Sequence, residues 1–249
     1  MKRIMLIVAY DGTNYHGWQY QNNGKTFEGE LNKALSSLLQ KNIEVIGASR
    51  TDAGVHAMCN AAVFDTDAGI PAEKYSYALN RMLPDDIRIR RSQEVPVGFH
   101  PRKTDTIKTY EYRIDCEEFA DPLKTRYAYF TYVPLDASKM QEAAFYLIGT
   151  HDFKSFCSVN TTATTTVRTI HDIQVIRDGV DVIVRVIGNG FLYNMVRIIV
   201  GTLMDFGRGK YEPSAVKDIL EATDRTCAGP TVPACGLMLK ELRFLELEH

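Results

Sequence analysis

Apolar and polar positions in the first hundred residues follow two different periods, which predicts strands and helices in succession. An apolar run over 3–10 predicts a buried strand that ends in a turn at Asp11 and Gly12. After a polar and aromatic loop, apolar residues recur at helical spacing behind Thr26, which is placed to cap the helix. The other elements expected in this half are strands at 43–46, 61–64 and 87–95, a loop at 47–58 and a helix at 71–83.

The rest of the chain continues this alternation. Asp178 and Gly179 separate two apolar segments and are typical of a hairpin turn. Strands and helices that alternate through both halves predict an α+β protein with α/β-type layers, in which helices cover a sheet. The elements expected here are strands at 106–115, 126–133, 167–177, 180–188 and 237–245, and helices at 136–148, 190–207 and 213–222.

The two halves have a similar succession of elements, which suggests a duplicated unit with a cleft between its copies. We expect an N-terminal half at 1–100 and a C-terminal half at 101–246, although no repeat is visible residue by residue. Residues 247–249 are similar to the start of a purification tag and are expected to be its remnant.

Overall composition and charge do not indicate a nucleic-acid-binding protein. Hydrophobic residues make up 45% and charged residues 24% of the 249 positions, as in ordinary globular proteins, and the net charge is −2. A polyanion would need a local basic patch, because phosphate attraction acts over about 8 Å in physiological salt. The segment 88–113 has a local excess of positive charge, although a solvated strand face is the simpler interpretation. Its charged residues are Arg88, Arg90, Arg91, Arg102, Lys103, Lys108 and Arg113 against Glu94, Asp105 and Glu111.

Several classes of protein are not indicated by the sequence. The five cysteines are odd in number and form no CxxC pair, so we expect a reducing cytoplasm rather than a disulfide framework or zinc site. The apolar run after Met1–Arg3 is too short and lacks the cleavage site of a signal peptide, and no stretch approaches the 18 or so apolar residues of a membrane span. A phosphate-binding glycine loop, an HExxH motif and a serine elbow are all missing from the sequence.

The segment 47–57 is unusual for a structural connection. Arg50, Asp52 and His56 lie within seven residues of a loop that contains glycine. An aspartate is ionised at neutral pH, and a fixed carboxylate can act as a nucleophile or as a general base. From the residues alone, the simpler interpretation is a turn in which Asp52 accepts hydrogen bonds from main-chain amides and Arg50 lies on the surface.

This segment closely resembles the active-site motif of the TruA-type tRNA pseudouridine synthases, and the resemblance continues along nearly the whole chain. The departures from the family pattern are small and none touches Asp52. They are Ser49, Val232, Cys235 and Phe244. Further segments that resemble the family, in order, are 10–19, 99–102, 108–112, 151–156, 190–197 and 228–237.

The resemblance implies a pseudouridine synthase fold, with a mixed, mainly antiparallel sheet flanked by helices and a central cleft. It also implies an isomerase that converts uridine to pseudouridine without cofactor or metal. Asp52 would be the nucleophile, attacking either ribose C1′ or uracil C6. Tyr110 would meet the uracil ring, and Arg197 would pair with Asp52; since apolar residues surround Arg197, burial of its charge would need an anionic partner.

The same resemblance implies a tRNA substrate, modified at uridines 38–40 of the anticodon stem-loop by a cytoplasmic homodimer with no membrane association. Arg50 would occupy the space of the extruded nucleotide or hold its phosphate. His56 would contact the RNA, or it would be a histidine whose hydrogen bonds are satisfied by the main chain.

Two other functions remain open at this point. One is a hydrolase in which Asp52 and His56 are acid–base partners and a free base or cleaved product is released. The other is a tRNA-binding module without catalytic activity. The presence of Asp52, Tyr110 and Arg197 together argues against the second, because binding alone would not need these three residues.

Overall fold

The computed structural model describes residues 1–159, 161 and 163–247, and it divides into two compact units. The first unit comprises the chain up to Thr106 together with the C-terminal segment from Leu239, and the second comprises Ile107–Met238. The chain therefore leaves the first unit once and returns to it. Of the expected tag remnant, Leu247 closes a short 3-10 helix, while 248 and 249 lie outside the described residues.

The described residues form ten strands and five α-helices. In chain order they are β1 (Lys2–Tyr10), α1 (Phe27–Leu39), β2 (Ile46–Gly47), β3 (His56–Thr66), α2 (Tyr75–Leu79), β4 (Ile87–Val95), β5 (Thr106–Asp115), β6 (Tyr129–Phe130), α3 (Ala137–Phe145), β7 (Gly149–Asp152), β8 (Val167–Asp178), β9 (Asp181–Gly188), α4 (Met195–Gly207), α5 (Val216–Ala222) and β10 (Leu237–Phe244).

The first unit contains strands in the order β4-β1-β3-β10, with β2 beside β3. The pairs β1–β3, β1–β4 and β2–β3 are antiparallel. Strand β1 lies inside this sheet and buries Ile4, Met5 and Leu6, which confirms the core strand expected from the first apolar run. Helix α1 begins as predicted, because the Thr26 hydroxyl accepts a hydrogen bond from the Gly29 amide at 3.2 Å.

The second unit contains strands in the order β5-β9-β8-β7, paired antiparallel, with β6 parallel to β5. Strands β8 and β9 form the hairpin expected at Asp178 and Gly179. Gly179 has a φ of 60°, which suits a two-residue turn. Helix α4 is apolar on nearly all sides and is buried along almost its whole length. The strands of each unit pair mainly antiparallel and are flanked by helices, so the predicted α+β class is confirmed.

Two predicted elements of the first unit are wrong in extent because side chains bond to the main chain. The strand expected at 43–46 is confined to β2. The amide of Ile43 donates to the Ser36 hydroxyl at 2.9 Å, and the amide of Val45 donates to the Asn32 side chain at 2.8 Å. These amides therefore bond to side chains of helix α1 and not to a neighbouring strand. The helix expected at 71–83 is only one 3-10 turn followed by α2, and it ends where Asn80 bonds to the main chain of β4.

The predicted boundaries also fail at three places in the second unit. The strand expected at 126–133 is only β6, because hydrogen-bonded turns occupy the preceding residues. The helix expected from 190 begins at Met195, since Asn194 has a φ of 60° that cannot belong to a right-handed helix. Strand β7 was not predicted, because its sequence Gly-Thr-His-Asp has no apolar alternation.

Candidate active site

Asp52 opens a tight turn in the loop between β2 and β3. The Val55 amide donates to the Asp52 carbonyl at 3.2 Å, and Gly54 has a φ of 79°, as the third residue of a type II turn requires. Glycine adopts this conformation without a steric penalty. Asp52 is half-buried, whereas Arg50 is exposed. The loop thus holds the main chain of Asp52 in a defined conformation and places a flexible cation two residues away.

Ser49 and Thr51, which flank Arg50 and precede Asp52, are fixed to the core by Asn60 and Tyr10. The Asn60 side chain is fully buried in β3 and donates to the Ser49 carbonyl at 2.9 Å and to the Tyr10 hydroxyl at 3.1 Å, while its oxygen accepts from the Ser49 amide at 3.2 Å. The Tyr10 hydroxyl is in turn 2.7 Å from the Thr51 hydroxyl. Burial raises the pKa of Tyr10 well above its ordinary value, so the phenol keeps its proton at neutral pH.

A second segment, residues 11–19, supports the loop from outside. The Trp18 amide donates to the Thr51 carbonyl at 3.0 Å, and the Gly54 amide donates to the Tyr15 carbonyl at 3.2 Å. Trp18 and Tyr15 are themselves buried. The loop between β2 and β3, which carries Asp52, is therefore bonded through its main chain to the loop that follows β1.

Two glycines allow these loops to approach each other. A Cβ atom at Gly12 would lie 2.2 Å from the Val55 carbonyl oxygen, which no side chain could tolerate. At Gly17, where φ is 90°, a Cβ atom would lie 2.8 Å from the Thr51 carbonyl oxygen. Both glycines are thus required by the close contact of main chains rather than by a turn alone.

His56 is buried at the start of β3, with 2% of its surface exposed. Its Nδ1 accepts a hydrogen bond from the Gly12 amide at 3.0 Å and lies 3.2 Å from the Asp11 carboxylate. Because the amide donates to Nδ1, the neutral ring carries its proton on Nε2. Asp11 also accepts hydrogen bonds from the amide and hydroxyl of Thr13, at 3.0 and 2.6 Å. The main chain thus satisfies Nδ1, and the choice between an RNA contact and a histidine satisfied by the main chain stays a prediction.

Tyr110 and Arg197 belong to the second unit. Tyr110 lies on β5, is 8% exposed, and meets the edge of the Phe191 ring at a centroid distance of 5.1 Å and an angle of 84°. Arg197 lies in the first turn of α4 and donates from Nε to the Val232 carbonyl at 2.7 Å and from Nη1 to the Asn194 side chain at 2.8 Å. These two neutral acceptors fix the plane of the guanidinium group.

The loop that follows α5 supports Arg197. A Cβ atom at Gly201 of α4 would lie 1.9 Å from the Pro230 carbonyl oxygen, so the loop rests directly on the helix. The Gly229 amide donates to the Thr202 hydroxyl at 2.9 Å. This contact brings the Val232 carbonyl to Arg197.

The five predicted site residues therefore fall into two groups. Arg50, Asp52 and His56 share one loop of the first unit, while Tyr110 and Arg197 belong to the second unit. The pairing of Arg197 with Asp52 stays a prediction. Sequence reasoning missed Asn60, whose only signal is a single amide among the apolar residues of β3. It also missed Asn194, whose signal is an asparagine just before the apolar helix.

The basic residues of 88–113 do not form one uniform patch. Arg88 donates to two main-chain carbonyls and pairs with Asp85 at 2.6 Å, and Arg113 pairs with Asp181 at 2.8 Å. Arg90, Arg91, Arg102 and Lys103 are exposed in the first unit. Lys108 is partly buried on β5.

Comparison with known proteins identifies the family. A family model described as tRNA pseudouridine synthase matches residues 6–102 and 143–244. Proteins named tRNA pseudouridine synthase A from Acetivibrio thermocellus and Brevibacillus brevis are 48% and 47% identical to this chain, over 98% of its length and 100% of theirs. The chain therefore belongs to the TruA-type tRNA pseudouridine synthases, a family of isomerases, and the resemblance and the fold expected from it are confirmed.

The described residues lack two further features. No helix among them is long and apolar enough to cross a membrane. No cluster of three or more His, Cys, Asp or Glu side chains among them is arranged to hold a metal ion.

Proposed function

We propose that this protein converts uridine to pseudouridine at positions 38–40 of the tRNA anticodon stem-loop, with Asp52 as the nucleophile. The observation that carries the proposal is the turn at Asp52 in a chain of this family: Ser49 and Thr51 before it are bonded to the core, and Gly54 after it is bonded to Tyr15. A nucleophile whose main chain is fixed in this way loses little conformational freedom when it attacks.

The reaction leaves the composition of the RNA unchanged. The carboxylate forms a covalent bond to ribose C1′ or to uracil C6, and the C1′–N1 bond breaks. The base then rotates, a C1′–C5 bond forms, and the carboxylate leaves. The proton lost from C5 is balanced by the proton gained at N1, so no oxidant, reductant or co-substrate is consumed.

The other predicted residues take complementary roles in this proposal. Tyr110, which is buried against Phe191, stacks on the target uracil. Arg197 pairs with Asp52 and keeps it ionised, and its guanidinium plane is already set by Val232 and Asn194. Arg50 is exposed and has the reach to fill the space of the extruded nucleotide or to hold its phosphate.

His56 has a different role in this proposal, because it is buried and bonded to Gly12. Through its hydrogen bond with Gly12, it positions the turn at Asp52, and it does not contact RNA. We also propose, from family membership, that the protein works as a cytoplasmic homodimer with one tRNA bound across two subunits.

The first test uses unmodified transcribed tRNA with uridines at positions 38–40. Wild type, Asp52→Ala and a control variant, Asp85→Ala, are incubated with it, and pseudouridine is mapped by carbodiimide labelling and primer extension. Asp85 is a suitable control because it is exposed and pairs only with Arg88 among the contacts described above. Modification at those sites by wild type and the control, but not by Asp52→Ala, is expected.

The alternatives give different results in the same experiment. A hydrolase would release free uracil or cleaved RNA, and mass spectrometry of the product would show a loss that isomerisation does not produce. A binding module would hold the tRNA tightly in wild type and Asp52→Ala without forming pseudouridine. Modification that survives Asp52→Ala would overturn the assignment of the nucleophile.

A further inference from the structure

One end of the sheet in the second unit carries two cations on the face that also carries Tyr110. Lys108 and Tyr110 are two residues apart on β5, so their side chains point to the same face. Lys108 pairs with Gly188 of β9, and Gly188 pairs with Ile170 of β8, two residues from Arg168. Paired residues share a face, which places Arg168 on it as well.

Lys108 is partly buried, and no described residue compensates its charge. Among the described residues, its ammonium group makes no hydrogen bond and no ion pair. Burial and then the positive charge of Arg168 lower the pKa of Lys108 to about 8. A partly buried amine beside a second cation is unfavourable in the free protein, and it would be relieved by an anion.

Arg168 is oriented by the main chain that precedes it. Its Nη1 donates to the main-chain carbonyls of Thr165 and Val167, at 2.9 and 2.6 Å. Within the part of the chain that the structure describes, Nε and Nη2 have no hydrogen-bond partner, and no carboxylate pairs with this side chain. A guanidinium with two adjacent nitrogens available matches the geometry of a phosphate group.

Two glycines lie close to these cations. Gly188 is closely packed, because a Cβ atom there would lie 2.7 Å from the Thr169 carbonyl oxygen and 3.1 Å from the Phe191 ring. A Cβ atom at Gly190 would be 3.8 Å from Arg168 Cδ and Nε, so the arginine runs past this glycine. Phe191 in turn contacts Tyr110. The two cations and the tyrosine thus surround one small region of the sheet face.

We propose that Lys108 and Arg168 bind a phosphate group of the RNA backbone next to the nucleotide that lies against Tyr110. The proposal rests on the function proposed above and names a contact for the substrate. RNA is favoured over a small anion because a phosphate that flanks the target base is held at a short, fixed distance from it. The site would therefore set which nucleotide reaches Tyr110.

The test measures binding of an anticodon stem-loop RNA to Lys108→Met, Arg168→Gln and the control Lys33→Met. Lys33 is exposed on α1, so its substitution removes the same charge elsewhere. Each of the first two variants should weaken binding about 10-fold, as expected for a hydrogen bond to a charged group. Each should also reduce the slope of log K against log salt concentration by about 0.7 to 0.9, the effect of one phosphate contact.

A neutral methylphosphonate, placed at one phosphate at a time around the target uridine, identifies the ligand. At one position it should weaken binding by wild type and by Lys33→Met but cause no further loss in Lys108→Met. If the losses of binding caused by the methylphosphonate and by Lys108→Met add fully at every position, the proposal is overturned. So would binding by Lys108→Met and Arg168→Gln that equals binding by Lys33→Met.

The pH dependence of RNA binding gives an independent check, because a merely structural role of Lys108 would not make affinity follow its titration. Arg168 is the only charged group among the described residues that shifts the pKa of Lys108. Wild-type affinity should fall between pH 7 and 9 as Lys108 loses its proton, whereas Lys108→Arg should bind with no such decline. An equal decline in both would contradict the proposal, and this comparison remains usable if Lys108→Met fails to fold.

Failure of this inference can be distinguished from failure of the proposed function. Wild type that binds the RNA but forms no pseudouridine would refute the proposed function, whatever the methylphosphonate series shows. Wild type that forms pseudouridine while both variants behave as Lys33→Met would refute only the phosphate site.

Discussion

Asn60 shows how much one buried side chain can determine at this site. Its amide bonds to Ser49 on one side of Arg50 and to Tyr10, which reaches Thr51 on the other side, immediately before Asp52. Each of these partners is buried, so loss of the amide would leave several polar groups unsatisfied. The reactivity of Asp52 is expected to depend on a residue that never meets the RNA.

Asn60→Ala should lower the free energy of unfolding by about 1 to 3 kcal/mol and slow single-turnover modification about 10- to 100-fold. Asn32→Ala is the matched control, because Asn32 also bonds to a main-chain amide, that of Val45, but outside the loop. Urea unfolding and single-turnover rates at saturating enzyme measure the two effects. A rate loss no larger for Asn60→Ala than for Asn32→Ala would contradict the positioning role.

Lys108 is expected to reduce stability at neutral pH. Its pKa in the folded protein, about 8, lies below the ordinary 10.5, so between these values the unfolded chain binds more protons and stability rises with pH. Lys108→Met should therefore increase the free energy of unfolding at pH 7, by up to about 3 kcal/mol. The gain should shrink as pH rises from 8 towards 10.5. Urea unfolding at pH 7 and 10 tests this, and an equal gain at both pH values would contradict it.

At the scale of elements, the turn that presents Asp52 depends on a left-handed residue. Gly54→Ala forces a side chain into a φ of 79°, which costs about 1 to 2 kcal/mol, and should move Asp52. Gly179→Ala is the control, since Gly179 has a φ of 60° in a hairpin where a Cβ atom would meet nothing within 4 Å. Both variants should lose similar stability, but only Gly54→Ala should lose activity. Gly54→Asn, which tolerates this conformation better, should recover part of it.

The sequence predicted correctly the elements in which the spacing of buried apolar side chains determines the secondary structure. The apolar runs that became β1 and β9 and the capped helix α1 were found at nearly their observed positions. Predictions failed where a side chain bonds to a distant main chain, as Asn80 does to β4, because periodicity carries no information about such partners. The motif around Asp52 was found by resemblance, whereas its anchor Asn60 gives no pattern in one sequence.

At the scale of the whole molecule, acid should weaken the fold through paired carboxylates. A hydrogen bond from Arg3 lowers the pKa of Asp65. At Asp181, burial raises the pKa, but hydrogen bonds from Lys124 and Arg113 outweigh it and the net shift is downward. Carboxyls with lowered pKa values stabilise the protein above their unfolded pKa, near 4, and this contribution is lost as pH falls through the folded value.

Asp65→Asn should therefore reduce stability at pH 7, by about 1 kcal/mol, and make it less sensitive to a change from pH 6 to pH 3. Asp67→Asn, which breaks the exposed pair with Lys41, is the control and should change little. Thermal unfolding at several pH values is the measurement. Parallel pH profiles for wild type and Asp65→Asn would contradict the expected linkage.

The return of the chain to the first unit has a consequence for biosynthesis. Strand β10 lies beside β3, which begins at the end of the Asp52 loop, yet the ribosome makes all of Ile107–Met238 between them. At ordinary translation rates this interval lasts on the order of 10 s. Throughout it, part of the edge of β3 has no partner and is open to wrong pairing in the nascent chain. A chaperone that shields nascent strands should therefore increase the yield of active enzyme more than it speeds refolding of the finished chain.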